Sequence, residues 1–134
     1  MSARTILRIT AAASAAVGAA LVFGAAPATA QPAGSVVSAA ACHSEAWTPS
    51  DPGYAYTVSG KSSPLRTGPY SGCSSYSVPG NTEFSIDCRL YNDVGNVWYH
   101  GDVYVNGQYR SGWMFAGNLG PVYQSNYAYC PNGV

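Results

Sequence analysis

Charge is scarce in this chain, and each shortage excludes something. Only six Lys or Arg and six Asp or Glu stand among its 134 residues. A nucleic-acid binder needs a dense basic stripe to displace condensed counterions, and a charge-driven membrane binder needs a basic patch. The sequence has neither. Histidine is limited to His43 and His100, and no two of the four cysteines are closer than 15 residues, so the close Cys-x-x-Cys and His pairs of metal sites are missing. Past residue 30 there is no long apolar run, and thirteen glycines and eight prolines leave no room for a long helix. Without a helix there is no glycine-rich phosphate loop opening one.

The one long apolar run lies at the start. Met1–Arg8 carries two arginines and no acid, Ile9–Ala26 is uncharged, and Ala28-Thr29-Ala30 has the small-x-small form of a cleavage site. This is the layout of a secretory signal peptide over residues 1–30, and an Ala-heavy run followed by a cleavage site fits export better than a membrane anchor. Removal leaves 104 residues, enough for one small domain. Arg4 and Arg8 leave with the signal, so four basic residues then face six acidic ones, a net charge of −2 with histidines neutral. The expected location is extracellular, free or associated with the cell wall, with no stable membrane insertion.

What the chain has in plenty is aromatic surface. Past residue 30 there are sixteen Tyr, Trp and Phe against ten charged residues, a composition that folds rather than stays disordered. With so many Gly and Pro punctuation marks the expected class is all-β, built of short strands. Cys42, Cys73, Cys88 and Cys130 in an exported chain read as two disulfides. Three pairings are possible. The expectation is Cys73–Cys88, closing a short loop, with Cys42–Cys130 tying the ends of the domain together.

Along the chain, residues 31–41 read as a flexible leader and 42–53 as an irregular arm with Trp47. Tyr54–Val58 is a strand candidate, and Ser59–Gly80, holding three glycines and three prolines before its terminal glycine, reads as one long loop. Phe84–Leu90 alternates apolar and polar residues over all seven positions, which puts Cys88 on the inward face and Asp87 on the outer one. Tyr91–Asn96 is a turn. Val97–Val105 and Gln108–Phe115 form a hairpin at Asn106-Gly107, with Tyr104 opposite Tyr109. Residues 120–134 form a tail tied back through Cys130.

Strand, long loop, strand, hairpin and closing element describe a small curled antiparallel barrel of about five strands. Leu65-Arg66-Thr67-Gly68-Pro69 resembles the V-R-x-G-P signature of bacterial Src-homology-3 domains. Trp98-Tyr99, Asn106-Gly107, Gly112-Trp113-Met114 and Asn118-Leu119 resemble that family's closing pattern, and the likeness spans residues 54–119. The resemblance implies a ligand groove beside the long loop, with Trp98 as one wall and Tyr54, Tyr56 and Tyr70 on the other. It also implies a polar contact from Asn118, a structural Trp113, and an Arg66 that braces the loop through its carbonyls. Such domains commonly hold cell-wall enzymes on peptidoglycan, so wall glycan or stem peptide is the first expected ligand.

Nothing in the sequence assembles a catalytic device. Both histidines read as partly exposed surface residues, the cysteines are oxidised, and the spacing of the carboxylates favours no acid–base pair. No enzyme activity, metal or cofactor is expected. Binding is the better reading, because Tyr and Trp give rigid contact area with a polar tip, and an even split between core and surface would leave about eight rings exposed. The alternative to a wall ligand is a secreted protein partner, with this chain as a hydrolase inhibitor, adaptor or subunit of an extracellular assembly.

Overall fold

The computed structural model describes residues 39–43 and 45–131, so the expected signal peptide and most of the leader lie outside the described residues. A 3-10 turn, Ala39–Cys42, precedes β1 (Tyr54–Thr57), β2 (Ser63–Arg66), β3 (Ser75–Val78), β4 (Glu83–Tyr91), β5 (Val97–Val105), β6 (Gln108–Phe115) and β7 (Leu119–Tyr123). The strands form one antiparallel sheet in the order β3-β2-β6-β5-β4-β1-β7. The all-β class expected from composition is therefore present. The two end strands do not pair with each other, and the sheet is open. Among the described residues no helix is long and apolar enough to cross a membrane.

The expected hairpin forms with its register intact, Val105 opposite Gln108 and Tyr104 opposite Tyr109. Asn106 and Gly107 both take positive φ, 53° and 78°, which is what a two-residue turn matched to right-handed strand twist requires. The expected long loop over residues 59–80 is instead two paired strands, β2 and β3, and the tail contributes β7. These elements hide in the sequence because β2 and β3 are only four residues long and Pro64 argues against a strand. Their inward residues, Ser63, Leu65 and Val78, are nonetheless buried.

The unbroken alternation expected for β4 is interrupted. Ile86 pairs with Gly101 while Cys88 pairs with the next residue, His100, so Asp87 is an extra residue in a β-bulge. A one-residue insertion exchanges the faces beyond it. Phe84 and Ile86 belong to the main core with Ala55, Leu65, Val78, Val103 and Met114. Cys88 and Leu90 fall on the opposite face, in a second core with Trp98, Trp113 and Cys130. Asp87, expected to point outward, is buried and meets His100.

The bulge also organises the chain ends. The Asp87 carbonyl accepts the Ser50 and Asp51 N–H groups at 2.9 and 2.8 Å, which lays the arm over the second core. The Asp51 carboxylate then accepts from Gly53 N–H at 2.8 Å and from Ser125 Oγ at 2.6 Å, joining arm to tail. Beyond the bulge the tail lies along β4, where Arg89 N donates to the Ala128 carbonyl and Cys130 N to the Arg89 carbonyl.

The disulfides are Cys42–Cys73 and Cys88–Cys130, which corrects the expected Cys73–Cys88 and Cys42–Cys130. Cys73 follows β2, and β2 is separated from β4 by β6 and β5. Three strand spacings amount to about 14 Å, well beyond the Cα separation a disulfide spans. The tail docked on β4 brings Cys130 beside Cys88, with Cα atoms 4.9 Å apart.

Candidate functional site

Directly opposed residues in an antiparallel sheet share a face, so the register assembles rows across strands. On the face that bears the second core, one row runs Tyr123, Tyr54, Ser85, Asp102, Ser111 through β7, β1, β4, β5 and β6. Two residues further along, Tyr56 opposes Glu83 and Tyr104 opposes Tyr109 on the same face. In the other direction Cys88, His100, Trp113 and Arg66 form the next row, followed by Leu90, Trp98 and Phe115. The second core occupies these last two rows, and the arm brings Trp47 onto His100. On the tyrosine rows Tyr56, Tyr104, Tyr109 and Tyr123 stay exposed and Tyr54 is half-buried.

These exposed rings support one another. Tyr54 stacks on Tyr123 with centroids 5.4 Å apart and meets Tyr56 edge-on at 6.0 Å. Tyr104 and Tyr109 are 4.9 Å apart. Such pairs fix ring orientation at low entropic cost before any ligand arrives. Exposure is 42% for Tyr56, 59% for Tyr104, 79% for Tyr109 and 45% for Tyr123, too high for core residues. Over the whole fold eight aromatics are exposed, half of the sixteen past residue 30, as the composition suggested. The Glu83 carboxylate accepts the Tyr56 hydroxyl at 3.0 Å, and this bond is the main reason the Tyr56 phenol is pushed above its usual range. The Asp102 carboxylate accepts the Ser111 hydroxyl.

At Ser111 the face opens into a depression of about 300 Å³ lined by His43, Glu45, Trp47, Thr67, His100 and Trp113. Trp47 stacks on the His100 ring at 4.1 Å, and Trp113 meets the same ring edge-on at 5.1 Å. His100, expected at the surface, is buried, with Nδ1 2.8 Å from Asp87 Oδ2. Burial lowers its pKa, and the Asp87 carboxylate opposes that shift only in part. The ring is therefore neutral at neutral pH, with its Nδ1 proton donated to Asp87. As pH falls below about 6.5, an unfolded His takes up a proton that the folded one refuses, so stability falls with pH in that window. The expected slope is at most about 1.4 kcal/mol per pH unit, and it should flatten in His100→Gln. Urea unfolding at a series of pH values measures it.

The groove implied by the family resemblance does not assemble. Tyr54 and Tyr56 lie on the exposed rows. Trp98 is 3% exposed in the second core, because the bulge places its partner Leu90 on that face and the Cys88–Cys130 disulfide packs there. Trp98 and Asn118 meet instead in a separate depression of about 160 Å³ with Pro64, Arg66 and Phe115. Tyr70 is half-buried in the β2–β3 connection, where burial, Asp93 and Glu45 raise its pKa. Arg66 Nη1 donates to the Cys73 carbonyl at 2.7 Å and braces that connection, and Trp113 is buried as a structural residue.

Trp47, Tyr104, Tyr109, Tyr123, Glu83 and Asp102 were not among the residues the sequence singled out for a site. Only the Tyr104–Tyr109 pair was visible, through the Asn106-Gly107 turn; the others meet through strand order. A comparison with protein-family models, curated proteins and solved structures finds no significant match for this chain.

Proposed function

We propose that the protein is a secreted, non-catalytic binding protein that holds a cell-wall glycan on the tyrosine face of its sheet. The observation that carries this reading is the pair of exposed rows, in which five tyrosines on four strands alternate with Glu83, Ser85, Asp102 and Ser111. Sugar rings present apolar C–H faces and a rim of hydroxyls. Rigid tyrosines supply flat surface for the first, and carboxylate and hydroxyl oxygens supply acceptors for the second. An open face, rather than an enclosed pocket, suits a polymer that extends past the protein at both ends. The Trp47 depression continues it and would take a substituent or a further sugar unit.

Other features agree. The likeness of residues 54–119 to bacterial Src-homology-3 domains points to the wall, and the two disulfides are compatible with life outside the cell. The His100–Asp87 pair resembles part of a hydrolytic device, but no hydroxyl or thiol is hydrogen-bonded to the imidazole among the described residues. Its place between the stacked Trp47 and the edge-on Trp113 gives it a structural role under the arm.

Co-sedimentation of the mature protein with insoluble peptidoglycan tests the proposal. The wild type is expected in the pellet, and Tyr56→Ala/Tyr104→Ala/Tyr109→Ala is expected to lose most of that retention, about tenfold or more in affinity. Arg89→Ala, on the other face opposite Tyr99, should sediment as the wild type does. Wild-type protein remaining in the supernatant would refute the proposal.

A further inference from the structure

The charges around the tyrosine face are unevenly shared. Glu83 and Asp102 stand on its rows, and Glu45 stands at the depression that continues it. Both row carboxylates have hydroxyl partners, Tyr56 and Ser111, and among the described residues the one basic group within 4 Å of a carboxylate is the neutral His100 at Asp87. The cations lie elsewhere. Arg89 opposes Tyr99 and Arg110 opposes Val103, which puts both on the other face. There Arg89 packs on Tyr127 and Tyr129, each at 4.9 Å, and Arg110 on Tyr76 at 4.0 Å. Arg66, in the row of His100, donates to the Cys73 carbonyl. Lys61 belongs to the β1–β2 connection, outside the rows.

An anionic polymer laid on this face would meet carboxylates on its rows, whereas Arg66 and Arg110 line a separate depression reached at Ser111 and are engaged by the Cys73 carbonyl and the Tyr76 ring. A neutral glycan would leave the carboxylates paired to hydroxyls. A glycan carrying free amino groups would bring ammonium ions to Glu83 and Asp102 and, at the same time, to the electron-rich faces of Tyr54, Tyr56 and Tyr104. Resting on the glycan-binding reading above, we infer that the preferred ligand is an amino-sugar polymer in which part of the amino groups are free rather than acetylated. Charge complementarity selects it: two carboxylates bonded only to hydroxyls and set among tyrosines form a recognition surface for a polymer-borne ammonium.

Calorimetric titration of the mature protein with glucosamine oligomers and with N-acetylglucosamine oligomers of equal length tests this, at about pH 6 where the free amines are protonated. The expected result is about tenfold tighter binding of the free-amine oligomer, from one or two exposed ammonium contacts. That preference should shrink as salt is raised from about 0.05 to 0.5 M, since the charges are solvent-exposed. Glu83→Gln/Asp102→Asn should bring the affinity ratio of the two oligomers toward one. Equal binding by the wild type, or tighter binding of the acetylated oligomer, overturns the inference and leaves glycan binding standing. Binding of neither oligomer, with no retention on peptidoglycan, removes the glycan reading and this inference with it.

Discussion

Cys88→Ala/Cys130→Ala is expected to lose about 4 kcal/mol or more of unfolding free energy, against about 3.5 kcal/mol for Cys42→Ala/Cys73→Ala. The two bridges span 42 and 31 residues of sequence, so the chain-entropy contribution is nearly the same for both. What differs is the surroundings. The Cys88 and Cys130 sulfurs are part of the second core, in one cluster with Leu90, Trp98 and Trp113, and the bridge fastens the tail to β4. Removing it opens space beside two tryptophans as well as freeing the tail. Cys42–Cys73 ties the start of the arm to the β2–β3 connection. Urea unfolding of both variants measures the difference, and equal losses would contradict the place given to Cys88–Cys130 in the core.

Gly101→Val is expected to cost about 3 kcal/mol or more, lowering Tm by about 12 °C or more in a domain of this size. Gly101 stands opposite Ile86, at the last regular pair before the bulge. A Cβ there would run into the Ser85 carbonyl oxygen and lie 2.7 Å from Phe84 Cζ, in the main core. Backbone cannot yield as a flexible side chain does, so relief would require parting the two central strands. Gly120→Ala is the control. Its Cβ would meet nothing nearer than the Tyr56 carbonyl at 3.5 Å, and a change within about 0.5 kcal/mol is expected. Thermal unfolding followed by near-ultraviolet circular dichroism reads both, and similar Tm values for the two variants would contradict the close approach at the bulge.

Much of the sheet was legible in the sequence because its signals are local. The β5–β6 hairpin follows from Asn106-Gly107 and its flanking alternation, and the length of β4 follows from its period of two. Its bulge was not legible. Phe84 to Leu90 alternates without a break, and only the frame of β5, with Gly101 and His100 both claiming partners on β4, inserts Asp87 as an extra residue. That one residue accounts for most of the other misreadings. It turns Cys88 to the second face, buries Asp87 against His100, offers its carbonyl to the arm, and commits Trp98 to a core instead of a groove. The disulfide pairing and the tyrosine rows depend on strand order across the sheet, which is information of long range. Composition did foresee that about half the rings would remain exposed, though it could not say that four of them would share a face with the half-buried Tyr54.

The most direct test of the glycan-binding face is amide chemical-shift mapping of the labelled mature protein with a soluble peptidoglycan fragment. Shifts are expected to concentrate at Tyr54, Tyr56, Glu83, Ser85, Asp102, Tyr104, Tyr109 and Ser111, and to extend to Trp47. Shifts gathered instead at Arg89, Tyr127 and Tyr129 on the other face, or around Trp98 and Asn118, would contradict the proposed face.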